Sequence, residues 1–348
     1  MINHIVEEDL KYIISSDLHW NKFKDKTILI SGASGLIGSY LLYTFIFLNE
    51  YKNMNCKIIC IVRNKEKFCD KFMEYINKGY IELIVQNVSE PLEIDKKIHY
   101  IIHAASQASP KFYKVDPVGT IDANVIGTRN LLELAKKNNV LGFLFFSSSE
   151  VYGEVGEKIH SISENDYGYL DPIEVRSCYA ESKRLGENMC VSWANQYNVQ
   201  CKIVRPFHTY GPGIRFDDGH VFSDFVNNVV NGQDIIIKST GEAKRAFCYL
   251  ADAILGFIMV LLNGKIGEAY NVGNEECEIS IKDLAYTLRD LFEDKHIDVI
   301  INESKCDKNY LKSPVKSALP ETFKIRALGW KPRYGIKEGF RRTILSYF

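Results

Sequence analysis

Residues Thr27-Ile28-Leu29-Ile30-Ser31 form a short apolar run that passes directly into Gly32-Ala33-Ser34-Gly35-Leu36-Ile37-Gly38, and an apolar, helix-period stretch covers 38–48. This junction restricts the fold more than anything else in the chain. Between a strand and a helix, Gly32 suits a tight turn, Gly35 a close backbone approach to a ligand, and Gly38 close helix–strand packing. The first turn of such a helix presents amides that have no intrahelical partner, a setting made for phosphate. The pattern predicts a dinucleotide held by Gly32, Ser34, Gly35, Leu36, Ile37 and Gly38.

The rest of the N-terminal half extends the same plan. Further apolar runs occur at 57–62, 81–85, 100–103, 143–147 and 201–205, with helix-period stretches at 121–137 and 180–196 between them. Continuous apolar strands alternating with helices imply a parallel sheet covered on both faces, a doubly wound α/β (Rossmann) fold. After Arg205 the regularity weakens, and Gly211-Pro212-Gly213 and Asp217-Asp218-Gly219 suggest a loop leaving the sheet. Helical patterns then follow at 221–231, 251–263 and 281–292. The expected division is an N-terminal helical segment at 1–25, a dinucleotide-binding domain at 26–206 and a smaller substrate lobe at 207–348. The lobe should interleave with the sheet, because 249–253 and 268–272 look fit to return to it. Val6, Leu10, Ile13 and Ile14 stand at helical spacing and predict an amphipathic helix packed on the body or on a second subunit.

Composition narrows the partners. A formal net charge of −1 gives no electrostatic reason to expect nucleic acid or an anionic membrane. No stretch is long and apolar enough to span a bilayer. The acidic start, with Glu7, Glu8 and Asp9, does not resemble a signal peptide, so a cytoplasmic protein is expected. Nine cysteines, from Cys56 to Cys306, are scattered without a repeated metal-ligand spacing, which predicts reduced thiols and no metal site.

A second motif carries the chemistry. Tyr179 and Lys183 are four residues apart and share one helix face, where Lys183 can lower the tyrosine pKa and make Tyr179 a usable base. Ser147 and Ser148 end an apolar strand, at the carboxyl edge where such folds bind ligands, and Ser148 can hydrogen-bond the same substrate oxygen. With the glycine turn, these residues predict hydride and proton transfer at a hydroxyl-bearing carbon, using a nicotinamide cofactor. The tip of the second strand reads Arg63-Asn64, with no acid. Arg63 suits the 2′-phosphate of NADP, or else is a solvated arginine beside an Asn64 that touches adenosine in NAD. Asn87 and Val88, after the third strand, are placed to contact adenine.

Longer matches then converge. His103-Ala104-Ala105-Ser106-Gln107-Ala108-Ser109-Pro110 is followed by Tyr113, Asn124 and Gly127-Thr128. Ser149-Glu150-Val151-Tyr152-Gly153, Arg176-Ser177-Cys178-Tyr179, Lys183-Arg184, Asp218-Gly219-His220-Val221 and Arg245-Ala246-Phe247 complete the series. In these stretches the chain resembles the extended short-chain dehydrogenases/reductases that act on nucleotide sugars, and in particular the UDP-glucuronate decarboxylase (UDP-xylose synthase) group. The resemblance implies NAD, a nucleoside-diphosphate sugar as substrate and a homodimer built through 121–137 and 180–196. It puts Ala104 and Ala105 at the cofactor, and Ser106, Tyr113, Asn124, Arg176, His208, Gly219, Val221 and Arg245 at the substrate. Arg245 would pair with the pyrophosphate; Tyr113 fits either the sugar or the core.

The implied reaction starts with Tyr179 taking the proton of the sugar 4-hydroxyl while hydride leaves C4. A 4-keto 6-carboxylate then loses carbon dioxide, with Ser149 and Glu150 near C5 and C6. On a 6-hydroxy sugar Glu150 would take the C5 proton instead, giving a 4,6-dehydratase; a 4-epimerase and a net NAD(P)H-dependent reductase are further readings of the same residues. A non-catalytic nucleotide-binding regulator predicts loss of Ser148, Tyr179 or Lys183, and all three are present. The chain also departs from the group. His208-Thr209-Tyr210-Gly211-Pro212 stands where Asn-Thr-Phe-Gly-Pro is usual, which makes His208 a phosphate ligand or an extra proton donor. Pro314-Val315-Lys316-Ser317-Ala318 replaces an Arg-rich, base-contacting stretch.

Overall fold

The structure, a computed structural model, describes residues 2–156, 159–302 and 317–348. Its centre is a seven-stranded sheet made of β1 (Thr27–Ser31), β2 (Lys57–Val62), β3 (Ile81–Val85), β4 (Tyr100–His103), β5 (Gly142–Phe146), β6 (Cys201–Pro206) and β11 (Ala269–Val272). Their order is β11-β6-β5-β4-β1-β2-β3, and every pairing is parallel. The chain runs outward from β1 in one direction to β3 and in the other through β4 to β6. That reversal opens a crevice beyond the carboxyl ends of β1 and β4, where ligands of such sheets bind.

Helices cover both faces. On one lie α1 (His4–Ser15), α2 (Leu36–Lys52), α3 (Lys65–Asn77) and α9 (Leu250–Asn263), sharing a core that includes Phe45, Phe72, Leu144 and Phe257. On the other lie α6 (Ile126–Asn138) and α7 (Cys178–Tyr197), packed over Leu29, Ile101, Phe143 and Ile203. Two shorter helices, α4 (Pro110–Val115) and α5 (Pro117–Asn124), lead into α6.

Beyond β6 the described residues build three small sheets. β7 (Thr209–Tyr210) pairs with β10 (Cys248–Tyr249), and β8 (Ile235–Ile237) with β13 (Val299–Ile301). β9 (Lys244–Ala246) lies between β12 (Glu278–Ser280) and β14 (Ser317–Ala318). Helices α8 (Val221–Val230), α10 (Ile281–Leu291), the one-turn α11 (Phe323–Arg326) and α12 (Ile336–Leu345) complete this part.

Two expectations need correction. Residues 268–272 do return to the main sheet, as β11 beside β6, but 249–253 do not: Tyr249 ends β10 and Leu250 opens α9. Helix α9 covers the helical pattern expected at 251–263 and lies buried between the sheet, α1 and α2, which is why it is largely apolar. The helix expected over 121–137 is broken at Val125. There the Thr128 hydroxyl donates back to the Asn124 carbonyl, a bond that bends helices.

The N-terminal helix packs on the body. Asp9 is fully buried and accepts hydrogen bonds from Tyr40 in α2 (3.0 Å), Tyr249 in β10 (2.7 Å) and Arg342 in α12 (2.8 Å). Cys306 and Pro314–Lys316, noted in the sequence, lie outside the described residues. Among the described residues no helix is long and apolar enough to cross a membrane.

Candidate active site

The glycine turn follows from its own geometry. Gly32 has φ +73°, and a Cβ there would stand 2.7 Å from the Ala105 backbone, so no larger residue fits. A Cβ on Gly38 would strike the Gly32 carbonyl, which is why helix α2 can begin so close to β1. Gly35 is the N-cap of α2 and provides no side-chain cap. The first amides of the helix, at Leu36 and Ile37, therefore have no intrahelical acceptor, an arrangement that suits a phosphate. Ala104 and Ala105 close the other side: their amides donate to the Ser31 carbonyl (3.2 Å) and hydroxyl (3.3 Å).

Under this turn lies a polar layer that the sequence reading passed over. Ser31 and His103 end neighbouring strands in register, and Ser31 Oγ is 2.8 Å from His103 Nδ1. His103 Nε2 meets Thr128 Oγ1 at 3.0 Å. Burial, with the Lys183 charge adding, pushes the His103 imidazole down to about 3 and keeps it neutral. The signal was available as two polar residues closing adjacent apolar strands.

Tyr179 and Lys183 project from the first turns of α7, and both are buried. Lys183 Nζ donates to the Phe146 carbonyl at 2.6 Å and stands 5.7 Å from the centre of the Tyr179 ring. Burial pushes the lysine down to about 7. The Tyr179 phenol is pushed well above its usual range by burial; a hydrogen bond with Ser148 opposes the rise and the Glu150 carboxylate adds to it. Burial thus sets the direction of the phenol, in place of the lowering by Lys183 that the spacing predicts. Ser148 also accepts the Glu150 amide at 3.2 Å, which seats the short 3₁₀ turn Ser149–Tyr152.

Several residues expected at the substrate lie around Tyr179. Tyr113 is buried and stacks on it, with ring centres 4.9 Å apart and planes 16° apart, while its hydroxyl donates to the Ala108 carbonyl. The Arg176 guanidinium pairs with Glu150 at 3.3 Å, and its Nε is buried without a partner. Ser106 Oγ donates to Asn124 Oδ1 at 2.8 Å, and Asn124 Nδ2 donates to Ser182 Oγ at 2.9 Å. Asn124 thus ties the β4 exit loop to α7 and has its amide engaged within the protein.

The more distant positions are also placed. Asn64 caps α3 by accepting the Lys67 amide, and Arg63 is exposed within electrostatic reach of Asp116. Asn87 accepts the Ser89 amide, and Val88 is buried against Gly127. Gly219, at φ +82°, lies beside Ser109, and Val221 opens α8. Arg245, on β9, donates to the Lys244 carbonyl and acts electrostatically on His208 across the β7–β10 pair.

Residues 28–273 match the NAD dependent epimerase/dehydratase family. The chain is a member of that family. It is an NAD-dependent enzyme, and the uncapped start of α2 and a glycine cradle that a Cβ would fill suit that cofactor. Among similar curated proteins, the UDP-glucuronic acid decarboxylase 5 of Arabidopsis thaliana is 35% identical over 93% of this chain and 90% of its own length. The UDP-glucuronic acid decarboxylase 1 of Xenopus tropicalis is 34% identical over 93% of this chain and 72% of its own. Among solved structures, the UDP-glucuronic acid 4-epimerase of Bacillus cereus, in complex with UDP-glucuronic acid and NAD, superposes with a TM-score of 0.76. It is 22% identical and covers 92% of this epimerase/dehydratase chain and 98% of the solved one.

Proposed function

We propose that this epimerase/dehydratase is a UDP-glucuronate decarboxylase. Relatives of that name align over nine-tenths of both chains, and one observation in the site favours a substrate with a C6 carboxylate. Arg176 brings a guanidinium to the Glu150 carboxylate beside Tyr179, and its buried Nε lacks an acceptor. A buried unpaired donor is costly and suits an anionic ligand group better than a hydroxymethyl.

The roles follow from position. NAD, which residues 32–38 with Ala104, Ala105, Asn87 and Val88 around it would hold, would accept the C4 hydride and return it to the 4-ketone once carbon dioxide has left. Tyr179 takes the proton of the C4 hydroxyl, and Ser148 holds the same oxygen. Lys183, protonated below about 7, stabilises the phenolate that accepts this proton. Tyr113 fixes the plane of the Tyr179 ring. Arg176 holds the C6 carboxylate until the 4-ketone draws off its bonding electrons as carbon dioxide leaves, and Glu150 and Ser149 manage the proton at C5. Ser106, together with His208, Gly219, Val221 and Arg245 from a lobe at 207–348, lines the nucleotide-sugar side.

We further propose a cytoplasmic homodimer. Ile121, Ile126, Leu185 and Val191 each expose more than 40% of their surface on helices α5 to α7, an apolar strip suited to a second copy. The test of function is direct: incubate the purified protein with UDP-glucuronate, follow carbon dioxide and a UDP-pentose by mass spectrometry, and identify the nicotinamide released on denaturation. Bound NAD and a UDP-pentose are expected. A 6-deoxy-4-keto or C4-inverted product from the matching sugar nucleotides, with no decarboxylation, would replace this reading.

A further inference from the structure

Tyr152 and Arg184 lie in the motifs that carry the resemblance, yet neither has a part in the reaction. Both meet at the 3₁₀ turn Ser149–Tyr152, the element that carries Ser149 and Glu150. Such turns have poor hydrogen-bond geometry of their own, and the bonds at the two ends of this one are long. The Val151 amide stands 3.3 Å from the Ser148 carbonyl, and the Gly153 amide 3.2 Å from the Glu150 carbonyl. Two arginines grip the turn from outside. Arg184 follows Lys183 on α7; its Nε donates to the Val151 carbonyl at 2.7 Å and its Nη2 to the Gly168 carbonyl at 2.8 Å. The Gly168 amide donates to the Tyr152 carbonyl at 2.8 Å, so one guanidinium fastens both the turn and the segment behind it. Arg205, buried on β6, donates from Nη1 to the Tyr152 hydroxyl at 2.9 Å and forks onto Glu187 of α7 at 2.8 and 2.6 Å. Its guanidinium also lies over the Tyr152 ring, 4.8 Å from the centre. The Tyr152 hydroxyl donates in turn to Asn271 Oδ1 on β11.

We infer that Arg184 and Arg205 are positioning residues for the second half of the reaction, setting Glu150 and Ser149 against C5 and C6 through Val151 and Tyr152. The inference rests on the decarboxylase reading of the site. Oxidation at C4 does not depend on this grip. Tyr179 and Lys183 are fixed by the α7 backbone, by the bond from Lys183 to the Phe146 carbonyl and by the Tyr113 stack, none of which involves either arginine. Ser148 precedes the turn, next to Ser147, whose amide is bonded to the Val204 carbonyl of β6 at 2.8 Å. The helix that removes the first proton is thus also the anchor of the turn that serves the later steps. A displacement of the turn by about one ångström is small for the fold and large for the chemistry, since it costs up to about 10²-fold in rate. Arg184 spans two carbonyls with two nitrogens of one planar group, which the compact ammonium of a lysine does not do.

The test separates the two halves of the reaction. Tyr152→Phe removes one hydroxyl and keeps the ring under Arg205; Arg184→Lys keeps the charge, and Arg184→Met keeps only an apolar stem. Each NAD-loaded protein is mixed rapidly with excess UDP-glucuronate, NADH is followed by its absorbance, and products are analysed in quenched samples. NADH should appear at the wild-type rate, while formation of the UDP-pentose falls by about 10–10²-fold and the 4-keto species accumulates. Arg184→Lys should fall between the wild type and Arg184→Met. A second measurement needs no turnover: hydrogen exchange at amides 149–153 should quicken in Tyr152→Phe and Arg184→Met, with exchange in the turn from β1 to α2 unchanged. Equal loss of both halves overturns the inference, as does wild-type product formation in both variants or unchanged exchange at 149–153. If the wild type leaves UDP-glucuronate untouched, the decarboxylase reading falls, and the same comparison is made with dTDP-glucose and GDP-mannose, whose dehydration also takes a proton from C5. Turnover limited to inversion at C4, or no oxidation of any of the three, overturns the inference as well.

Discussion

Tyr179 stands between two demands. Its burial raises the phenol pKa, which makes the phenolate harder to form, while the hydrogen bond with Ser148 favours it. Removing the hydroxyl while keeping the ring tests this balance. Tyr179→Phe should lower turnover about 10²–10⁴-fold, the usual contribution of a general base. The Tyr113 stack should survive and cofactor should remain bound, as read by single-turnover absorbance at 340 nm and mass spectrometry of released nucleotide. Turnover close to wild type would remove Tyr179 from the reaction. Glu150→Gln keeps the size of the side chain but removes the charge that balances Arg176. We expect oxidation at C4 to persist while later chemistry at C5 and C6 slows at least about tenfold, so that the 4-keto species accumulates in rapid-quench samples. Unchanged product formation would reduce Glu150 to a structural carboxylate.

Among the elements, the turn from β1 to α2 leaves least freedom. Gly32→Ala would force both a left-handed backbone and a contact with the Ala105 backbone. It should cost roughly 1–3 kcal/mol in stability and abolish cofactor retention, measured by denaturant titration and by the NAD content of the purified protein. Retained NAD at wild-type stability would mean that the turn can relax. This turn was legible in the sequence because glycine spacing is a local constraint. The strands through β6 were legible for a similar reason, since a strand buried on both faces has to be apolar throughout. Helix α9 was legible as the helical pattern at 251–263, but the sequence did not show that its first turn belongs to the helix and not to the sheet. The break at Val125 was hidden too, since it involves a threonine that also serves His103 on a distant strand. In the site itself, Ser148, Tyr179 and Lys183 could be read from motif spacing. The Glu150–Arg176 pair and the Tyr113–Tyr179 stack needed the packing of α4 and α7 around the 3₁₀ turn that carries Glu150.

At the scale of the molecule, Asp252 links three distant segments. Its buried carboxyl accepts the amides of Arg333 (2.9 Å) and Tyr334 (2.8 Å) and the Tyr12 hydroxyl (3.4 Å). Burial lifts its pKa to about 7, with the two amides opposing. Between about pH 4 and 7 the folded protein therefore keeps a proton that the unfolded chain has released, and this group's contribution to stability falls as pH rises through that window. Above about 7 both states are ionised and the contribution levels off. Asp252→Asn cannot ionise, so the stability difference between wild type and variant should shift in favour of the variant from pH 5 to 7.5, as read by thermal melts. Parallel melting curves across that range would show that Asp252 is ionised throughout. The contacts that fasten α1 have a different consequence. Asn3 donates to the Ser346 carbonyl at 3.1 Å, and Arg342 reaches Asp9, so the first and last helices meet. A short linker joining residues 3 and 346, with new ends opened in an exposed loop far from the crevice, should yield a circular permutant that folds to the same molecule.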